Sequence, residues 1–322
     1  KFVFMPTRDL WPAKSVDARI GKVRTGAQHP VLASTYISRT RAVEQLTWSP
    51  GDPELIRDVV FGEAGRIAKP GARVINLYRP APLTEGDPTQ AGPWLDHVRR
   101  VVGDSAFNHT VQWFAHRVQR PGEKLNHAFV LGGAPGIGKD TLLDPVVRAV
   151  GDWNVAEIAP AHLLGRFNPY VRSVILRISE ARDLGDIDRF AFYDRSKVLI
   201  AAPPDTLRVD TKNVPEYSIP SVCGVLFTTN YRDALYLPPD DRRHFVVWSE
   251  ATPADFDPIY FRGLWAWFGS GGSDHVAAYL RMLDLSTFDP KAPPPKTPAF
   301  WTAVDAGRAR VLYGFLGLRH HT

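Results

Sequence analysis

Cysteine and long apolar runs are both scarce in this sequence of 322 residues. A single cysteine, Cys223, excludes a disulfide framework and any cysteine-rich metal site. No apolar stretch approaches the roughly 18–20 residues that a membrane-spanning helix needs. The opening residues 1–9 lack the pattern of a signal peptide. We therefore expect no membrane partner and a reducing, cytoplasmic location.

Acidic residues are outnumbered by basic ones, and the basic residues are mainly arginine. The formal net charge is +5, from 39 Lys and Arg against 34 Asp and Glu, and 29 of the 39 are Arg. A guanidinium can bind phosphate through two parallel hydrogen bonds, so this excess suits a nucleic-acid partner. A compositional bias of the genome would produce the same excess, and the sequence leaves both explanations open.

Short apolar segments alternate with helical patterns from Leu125 onward, which predicts an α/β fold with a parallel sheet. Two helices are predicted just before that point, between Trp94 and Pro121. The predicted boundaries are an N-terminal region of unknown role at 1–93, a helical collar at 94–125, a core at 126–250 and a C-terminal helical extension at 251–322. The predicted strands of the core are Ala128–Leu131, Ser173–Ile178, Val198–Ala201, Gly224–Thr228 and His244–Val247.

The strongest motif is a glycine-rich loop between an apolar strand and a helical pattern. Its glycines let backbone N–H groups converge on phosphate oxygens, and the helix N-terminus adds its dipole. In the P-loop pattern of nucleotide-binding proteins, a serine or threonine directly follows the lysine, which is Lys139 here. Asp140 takes that position instead, and Thr141 comes after it. The Mg²⁺ ligand is therefore open between Thr141, Asp140 and water alone. The predicted nucleotide-binding residues are Gly133, Pro135, Gly136, Ile137, Gly138, Lys139, Asp140 and Thr141.

Two polar residues follow later predicted strands and are candidates for the chemistry of ATP hydrolysis. Glu180 ends the strand after the P-loop helix, where an acid orients the Mg²⁺ shell or the attacking water. Asn230 ends the next apolar strand, where an amide can hydrogen-bond the γ-phosphate and the water together. The alternatives are a solvated loop glutamate and a turn-forming asparagine.

Arginine and lysine supply the remaining candidates. Arg242 and Arg243 precede the last predicted strand and could act in trans on a neighbour's γ-phosphate, or could form a surface ion pair with Asp240 and Asp241. Residues 203–213 read as a strand, a polar turn and a return, with Lys212 near the tip. Lys212, with Arg208 beside it, is the candidate contact to a nucleic-acid backbone, the alternative being an ordinary solvated hairpin.

The sequence resembles a superfamily 3 helicase. It has, in this order, a P-loop, a strand that ends in an acid, a hairpin with a lysine, a strand that ends in an asparagine, and paired arginines. More closely, residues 94–250 resemble the C-terminal helicase domains of phage and plasmid primase-helicases. Short sequence segments typical of those domains are Trp94–His97, Gln119–Gly122 and Asp241–Arg243. The resemblance implies a P-loop NTPase (AAA+-like) core and a homo-oligomeric, usually hexameric, ring around single-stranded DNA. A primase or polymerase would then be a fused domain or a separate partner.

The resemblance also implies roles for the candidate residues and a cellular setting. Lys139 and Thr141 would bind phosphates and Mg²⁺, Glu180 would polarise water, and Asn230 would sense the γ-phosphate of ATP. Arg242 or Arg243 would complete the site of a neighbour, and Lys212 would lie on a pore hairpin. The setting would be the cytoplasm of a bacterial host or a virus-infected cell.

Two rival functions remain open at this stage. Gly138-Lys139-Asp140-Thr141 also fits a P-loop kinase acting on a small molecule or nucleotide, which would transfer phosphate to an acceptor. A replication module that binds ATP without hydrolysing it is the other. DNA-stimulated hydrolysis would favour the helicase over both.

Overall fold

The computed structural model describes residues 1–26, 29–179, 189–232 and 234–306. The strands in chain order are β1 (Phe2–Phe4), β2 (Asp9–Trp11), β3 (Lys22–Val23), β4 (Val31–Leu32), β5 (Gln45–Thr47), β6 (Leu55–Gly62), β7 (Gly65–Asn76), β8 (Ala128–Gly132), β9 (Val155–Ile158), β10 (Ile175–Ser179), β11 (Thr206–Thr211), β12 (Val214–Pro220), β13 (Gly224–Thr229) and β14 (His244–Trp248). The helices are α1 (Ala13–Ile20), α2 (Ala33–Thr40), α3 (Gly92–Val102), α4 (Asp104–Gln119), α5 (Lys139–Val150), α6 (Pro160–Leu163), α7 (Arg189–Ile200), α8 (Pro258–Trp267) and α9 (Ser273–Met282). A further helix covers residues 298–306.

The chain packs as two compact units. The first contains Lys1–Arg79 and Asp205–Pro220, and the second contains the described residues of Pro80–Pro204 and Ser221–Thr322. The sequence grouped the hairpin β11–β12 with the core at 126–250, and the structure instead packs it in the first unit. The hydroxyl of Thr47 donates to the carbonyl of Ser218 at 3.0 Å, and the hydroxyl of Thr206 donates to that of Glu63 at 2.7 Å.

An alternating apolar face explains why the hairpin packs there. Leu207, Val209, Tyr217 and Ile219 are all buried, so this face of the hairpin needs a partner surface. In the first unit, β5, β6 and β7 form a three-stranded sheet of order β5-β7-β6 that supplies apolar side chains. A hairpin recognised from its turn residues alone gives no sign of which unit it joins.

The second unit is built on a five-stranded sheet of order β14-β8-β13-β10-β9, and every neighbouring pair in it is parallel. Every residue of β8 and β13 is buried, as expected for strands covered by helices on both faces. Four of the five predicted strands are confirmed with end shifts of one or two residues. The fold is an α/β, P-loop NTPase-like fold.

The predicted strand Val198–Ala201 is wrong, because residues 198–200 are the last turn of α7 and residue 201 follows it. Phe192, Ser196, Leu199 and Ile200 are buried at helical spacing, whereas Val198 is 45% exposed. A short apolar run does not distinguish a strand from a buried helix end. The strand that completes the sheet is β9, a four-residue segment too short to give a clear signal.

Helices surround this sheet in the second unit. The two helices predicted before Pro121 are confirmed as α3 and α4, and the aromatic-rich region after Glu250 forms α8 and α9. Trp94, Val98 and Val101 of α3 are buried at i, i+4 and i+7. Within the described ranges, no helix has both the length and the apolar character needed to cross a bilayer.

Candidate functional site: a P-loop cavity at the carboxyl edge of the sheet

The glycine-rich loop joins β8 to α5, as its sequence predicts. Gly138 takes the left-handed conformation with φ of 83°, directly before the first helical residue, Lys139. A Cβ atom at Gly138 would lie 2.6 Å from the ring of His97 and 2.8 Å from that of Phe261. Both the backbone angle and the lack of space therefore require glycine at this position.

The ammonium group of Lys139 lies at the centre of the loop. It donates hydrogen bonds to the carbonyls of Gly133 at 2.7 Å and Ala134 at 2.9 Å, and to the Asn230 side-chain oxygen at 2.8 Å. Burial lowers the pKa of Lys139, Asp140 opposes this effect, and Arg177 adds to it. The structure therefore brings together the P-loop lysine and the amide at the end of β13, which are 91 positions apart in the chain.

Two side chains of helix α3 contact the P-loop and the helix α5 that follows it. The indole N–H of Trp94 donates to the carbonyl of Leu142 at 2.9 Å. The Nε2 of His97 is 2.9 Å from the carbonyl of Gly138, and its Nδ1 is 2.9 Å from the hydroxyl of Tyr260. Because a carbonyl only accepts, Nε2 carries the proton and Nδ1 accepts from the tyrosine.

Burial also favours the neutral form of His97. The ring is fully buried, and burial lowers its pKa, with the hydrogen bond to Gly138 opposing the shift and the charge of Arg100 adding to it. Sequence reasoning noticed the phrase Trp94–His97 but assigned neither side chain a role. A tryptophan and a histidine three positions apart on a helix share one face, which was the available signal.

Asp140 and Thr141 face different environments on the first turn of α5. Thr141 is buried at 6% exposure, whereas the Asp140 side chain is 78% exposed. The carboxylate of Asp140 pairs with the guanidinium of Arg177 on β10, which also donates to Thr228 at 3.1 Å. Glu157 on β9 lies 3.6 Å from the same guanidinium. The negative charge beside the P-loop lysine is thus balanced by an arginine that the sequence did not single out.

The carboxyl ends of β8, β10 and β13 meet along one edge of the sheet and line a cavity of about 680 Å³ with the P-loop and α8. Parallel α/β sheets bind ligands outside this edge. Glu180, predicted as a catalytic and metal-binding residue, lies outside the described residues. Ser179, the residue before it in the chain, lines the cavity. The lining residues are Pro135, Gly136, Gly138, Lys139, Asp140, Thr141, Glu157, Arg177, Ser179, Thr228, Thr229, Asn230, Phe261 and Trp265.

The donor set of this cavity suits a phosphate chain with its cation. An ammonium, a hydroxyl and a carboxylate line it, from Lys139, Thr141 and Asp140. Across the described ranges, no group of three or more His, Cys, Asp or Glu side chains is arranged to hold a metal alone. Mg²⁺ at phosphate sites typically takes one or two protein oxygens together with phosphate oxygens and water, so such a group is not needed.

Arg242 and Arg243 lie at the amino-terminal ends of the strands, on the side of the sheet opposite to the cavity. His244, the first residue of β14, is in register with Ala128, the first residue of β8, and the carbonyl of Arg243 accepts from the N–H of Ala128 at 2.8 Å. The P-loop begins at the other end of β8. A strand of five residues is roughly 15 Å long. The paired arginines are therefore far from the P-loop of their own chain.

The alternative for these arginines, a surface ion pair with Asp240 and Asp241, is not formed among the described residues. One carboxylate oxygen of Asp241 accepts from the N–H groups of Arg243 and His244 and from the His244 ring, and the other accepts from Tyr193. Burial alone would raise the pKa of Asp241, but these hydrogen bonds outweigh it and hold the pKa at about 2. Within the described residues, neither arginine side chain forms an ion pair.

The predicted DNA-binding residues lie in the first unit. Lys212 is exposed in the tight turn between β11 and β12, next to Asn213 with its positive φ of 64°. Arg208 on β11 pairs with Glu216 on β12 at 2.9 Å, and both side chains are largely exposed. An exposed pair of this kind is weak.

Comparisons with known proteins agree with the fold. A family model described as a family of unknown function (DUF5906) matches residues 131–243. A DNA primase-polymerase of Nitratiruptor phage NrS-1 is 25% identical over 184 residues, covering 55% of this chain and 25% of the relative. The chain thus spans a quarter of this curated relative.

Two apo structures of the NrS-1 C-terminal region have a similar fold. One has a TM-score of 0.65 at 18% identity and covers 81% of this chain and 60% of that one. The other has the same TM-score at 19% identity and covers 92% and 65%. The likeness extends well beyond the residues that the family model matches, which end at Arg243.

The pairing of Asp140 with Arg177 leads to a prediction about nucleotide affinity. Changing Arg177→Ala should weaken ATP binding about fivefold, because it leaves a bare carboxylate beside the phosphate chain at a cost of about 1 kcal/mol. In Mg²⁺-free buffer, adding Asp140→Ala should restore most of the loss. Titration calorimetry of the two single variants and the double variant measures this coupling.

Arg148→Ala is the matched control. Arg148 is on α5, the helix that carries Asp140, but it pairs with Asp144 and is outside the cavity. A double variant as weak as Arg177→Ala alone would contradict charge balancing. It would mean instead that Arg177 contacts the nucleotide directly.

Proposed function

We propose that this chain is the ATP-driven motor of a phage-type or mobile-element replication protein, one that hydrolyses ATP between like subunits and moves along single-stranded DNA. The observation that carries the proposal is the contact between Lys139 and Asn230 within the cavity. An amide that reaches the P-loop lysine can report the presence of a γ-phosphate, and a nucleotide-driven motor needs such a sensor.

The position of the paired arginines supports hydrolysis between subunits. Phosphoryl transfer is accelerated when an arginine neutralises the charge that develops on the γ-phosphate. Arg242 and Arg243 are at the wrong edge of the sheet to do so in their own chain, and they lack ion-pair partners among the described residues. A second copy of the chain, placed with this edge against the P-loop cavity, would supply the missing charge.

The residues of the cavity divide the work as follows. Lys139 exchanges its two carbonyl contacts for phosphate oxygens, and Asn230, released from the lysine, holds the γ-phosphate and the attacking water. Glu180 polarises that water. Mg²⁺ would be held by Thr141, with Asp140 and Glu180 as further ligands, and would neutralise charge on the phosphates. Loss of the γ-phosphate removes the contacts that keep two subunits together, and the hairpin β11–β12 shifts along the strand.

The name of the curated relative supports a place in DNA replication, since it is a DNA primase-polymerase. This chain matches only a quarter of that protein, so a primase or polymerase partner is part of the proposal.

ATP turnover with and without a single-stranded oligonucleotide tests the proposal. We expect the oligonucleotide to stimulate hydrolysis several-fold, and we expect Lys212→Ala to lose that stimulation, since phosphate contacts couple the strand to the motor. Lys14→Ala, an exposed lysine of the same unit, is the matched control. Transfer of phosphate to a small acceptor would indicate a kinase, and ATP binding without turnover would indicate a non-hydrolysing module; either result refutes the motor.

A further inference from the structure

The first unit carries the whole net charge of the chain. Its residues 1–79 and 205–220 contain 15 Lys and Arg against 10 Asp and Glu, a formal charge of +5, whereas the rest of the sequence has 24 of each. The ATP cavity lies entirely in the neutral unit. This excess of positive charge lies in residues 1–79, for which the sequence predicts no role.

This unit also contains a large cavity with an apolar floor. Its volume is about 880 Å³, within the roughly 300–1,000 Å³ typical of ligand sites. Leu46, Leu55 and Ile75 form part of the floor, and Leu55 is directly opposite Ile75 in the β6–β7 pair. The rings of Phe4 and Trp11 form one wall, stacked with centroids 4.7 Å apart at 14°.

Arginines surround this floor in an arrangement that costs stability unless an anion binds. Arg57 and Arg73 are directly opposite each other in the antiparallel β6–β7 pair, next to the apolar row, and both line the cavity. Like charges in directly opposite positions repel. Arg41 and Arg19 line the same cavity, and the Arg19 guanidinium is 5.9 Å from the centroids of both Phe4 and Trp11.

The lining carboxylates are already engaged. Glu44 accepts from the backbone N–H of Arg73, and this hydrogen bond, with the nearby charges of Arg73 and Lys69, lowers its pKa. Glu54 pairs with Arg8, and Glu216 pairs with Arg208. In the part of the chain that the structure describes, Arg41 and Arg57 have no ion-pair partner. The cavity therefore presents free positive charge around aromatic and aliphatic surface.

We propose that this cavity of the first unit binds single-stranded nucleic acid, with bases on the apolar floor and phosphates on Arg19, Arg41, Arg57 and Arg73. Stacking surfaces beside a row of cations are what an unpaired strand requires, because each nucleotide has an apolar base face and one phosphate. The site borders the Lys212 turn, because residues 214–217 of β12 line the cavity, and it does not require ATP. It would hold the strand on the same unit as the hairpin, whatever drives movement.

The test is oligonucleotide binding by the full chain without nucleotide, followed by fluorescence anisotropy over a range of salt concentrations. A fluorescent dT oligomer and the matching rU oligomer are the probes. We expect Arg57→Ala with Arg73→Ala to weaken binding at least about tenfold, and to reduce the slope of log K against log salt by about 1.4, since each contact on a single strand contributes about 0.7. Arg24→Ala with Arg39→Ala removes the same charge from exposed positions outside the cavity and should change both quantities little.

Loss of fold is excluded by thermal unfolding. Removing two repelling arginines should leave the midpoint of the variant at or above that of the wild type. An affinity and salt slope equal to those of the Arg24 and Arg39 control would overturn the proposal. So would self-association through this cavity, or an apolar peptide that binds in it and that the oligonucleotide does not displace. Photocrosslinking of a 5-bromouracil oligomer should modify Phe4 or Trp11, and crosslinks confined to the second unit would also overturn it.

This result is separable from the outcome for the motor. If ATP turnover is absent while binding through Arg57 and Arg73 persists, the motor proposal fails and this site remains. If turnover is stimulated by DNA but the double variant binds as the control does, this site fails and the motor remains.

Discussion

Replacing Lys139 by alanine is expected to lower ATP turnover by at least about 100-fold, the cost typical of losing one preorganised charge-stabilising donor. In the structure, the ammonium is already in the loop, held by two carbonyls and by Asn230 at 2.7–2.9 Å. It can therefore reach a phosphate by exchanging partners without moving the backbone. Among the described residues that line the cavity, the other cation is Arg177, and its guanidinium is paired with Asp140, so it does not replace this charge.

The measurement is steady-state phosphate release together with ATP affinity. Both should fall, because the same ammonium binds the ground-state phosphates and the charge that develops on them. Lys197→Ala is the matched control, since Lys197 forms an ion pair with Asp194 on α7 and is outside the cavity. Turnover by Lys139→Ala close to that of Lys197→Ala would mean that this loop is not the site of hydrolysis.

Features coded by local pattern could be predicted from the sequence. The P-loop is one, because its glycine spacing, its lysine and the flanking strand and helix all lie within about 20 residues of chain. The parallel sheet is another, since β8 and β13 are continuous apolar runs. The prediction that Asn230 approaches the P-loop follows from the rule that the carboxyl ends of parallel strands share one edge.

Features that arise from tertiary packing could not be predicted in this way. Arg177 is an ordinary residue within a strand until β9 and α5 place Glu157 and Asp140 beside it. His97 acts on Gly138 across 41 positions of chain, and only the folded structure brings them together. The assignment of β11–β12 to the first unit depends likewise on which surface buries its apolar face.

The aromatic side chains of α8 add a further feature that pattern alone does not reveal. Phe261 and Trp265 are four positions apart on this helix, so both face the cavity. Trp265 is 44% exposed. An exposed indole beside the P-loop offers a stacking surface for a base, so the proposed ATP would have its nucleoside end on the α8 side of the cavity.

Alanine at the paired arginines should separate nucleotide binding from hydrolysis. An arginine supplied in trans is worth about 10³–10⁵ in turnover, so the variant that lacks it should bind ATP almost normally and hydrolyse it hardly at all. We expect this variant to be Arg242→Ala, because Arg242 is exposed while Arg243 is partly buried next to Tyr193. The neighbouring variant, Arg243→Ala, is then the matched control.

Mixing variants decides whether the arginine acts between subunits. A Lys139→Ala subunit keeps Arg242, and an Arg242→Ala subunit keeps its P-loop, so an interface that combines them in the right order contains one complete site. Random assembly of equal amounts places such a pair at about one interface in four, so the mixture should recover up to about a quarter of wild-type turnover. Each variant alone should stay near background. No recovery at any mixing ratio would contradict a shared site, because it would mean that each site takes both its lysine and its arginine from one subunit.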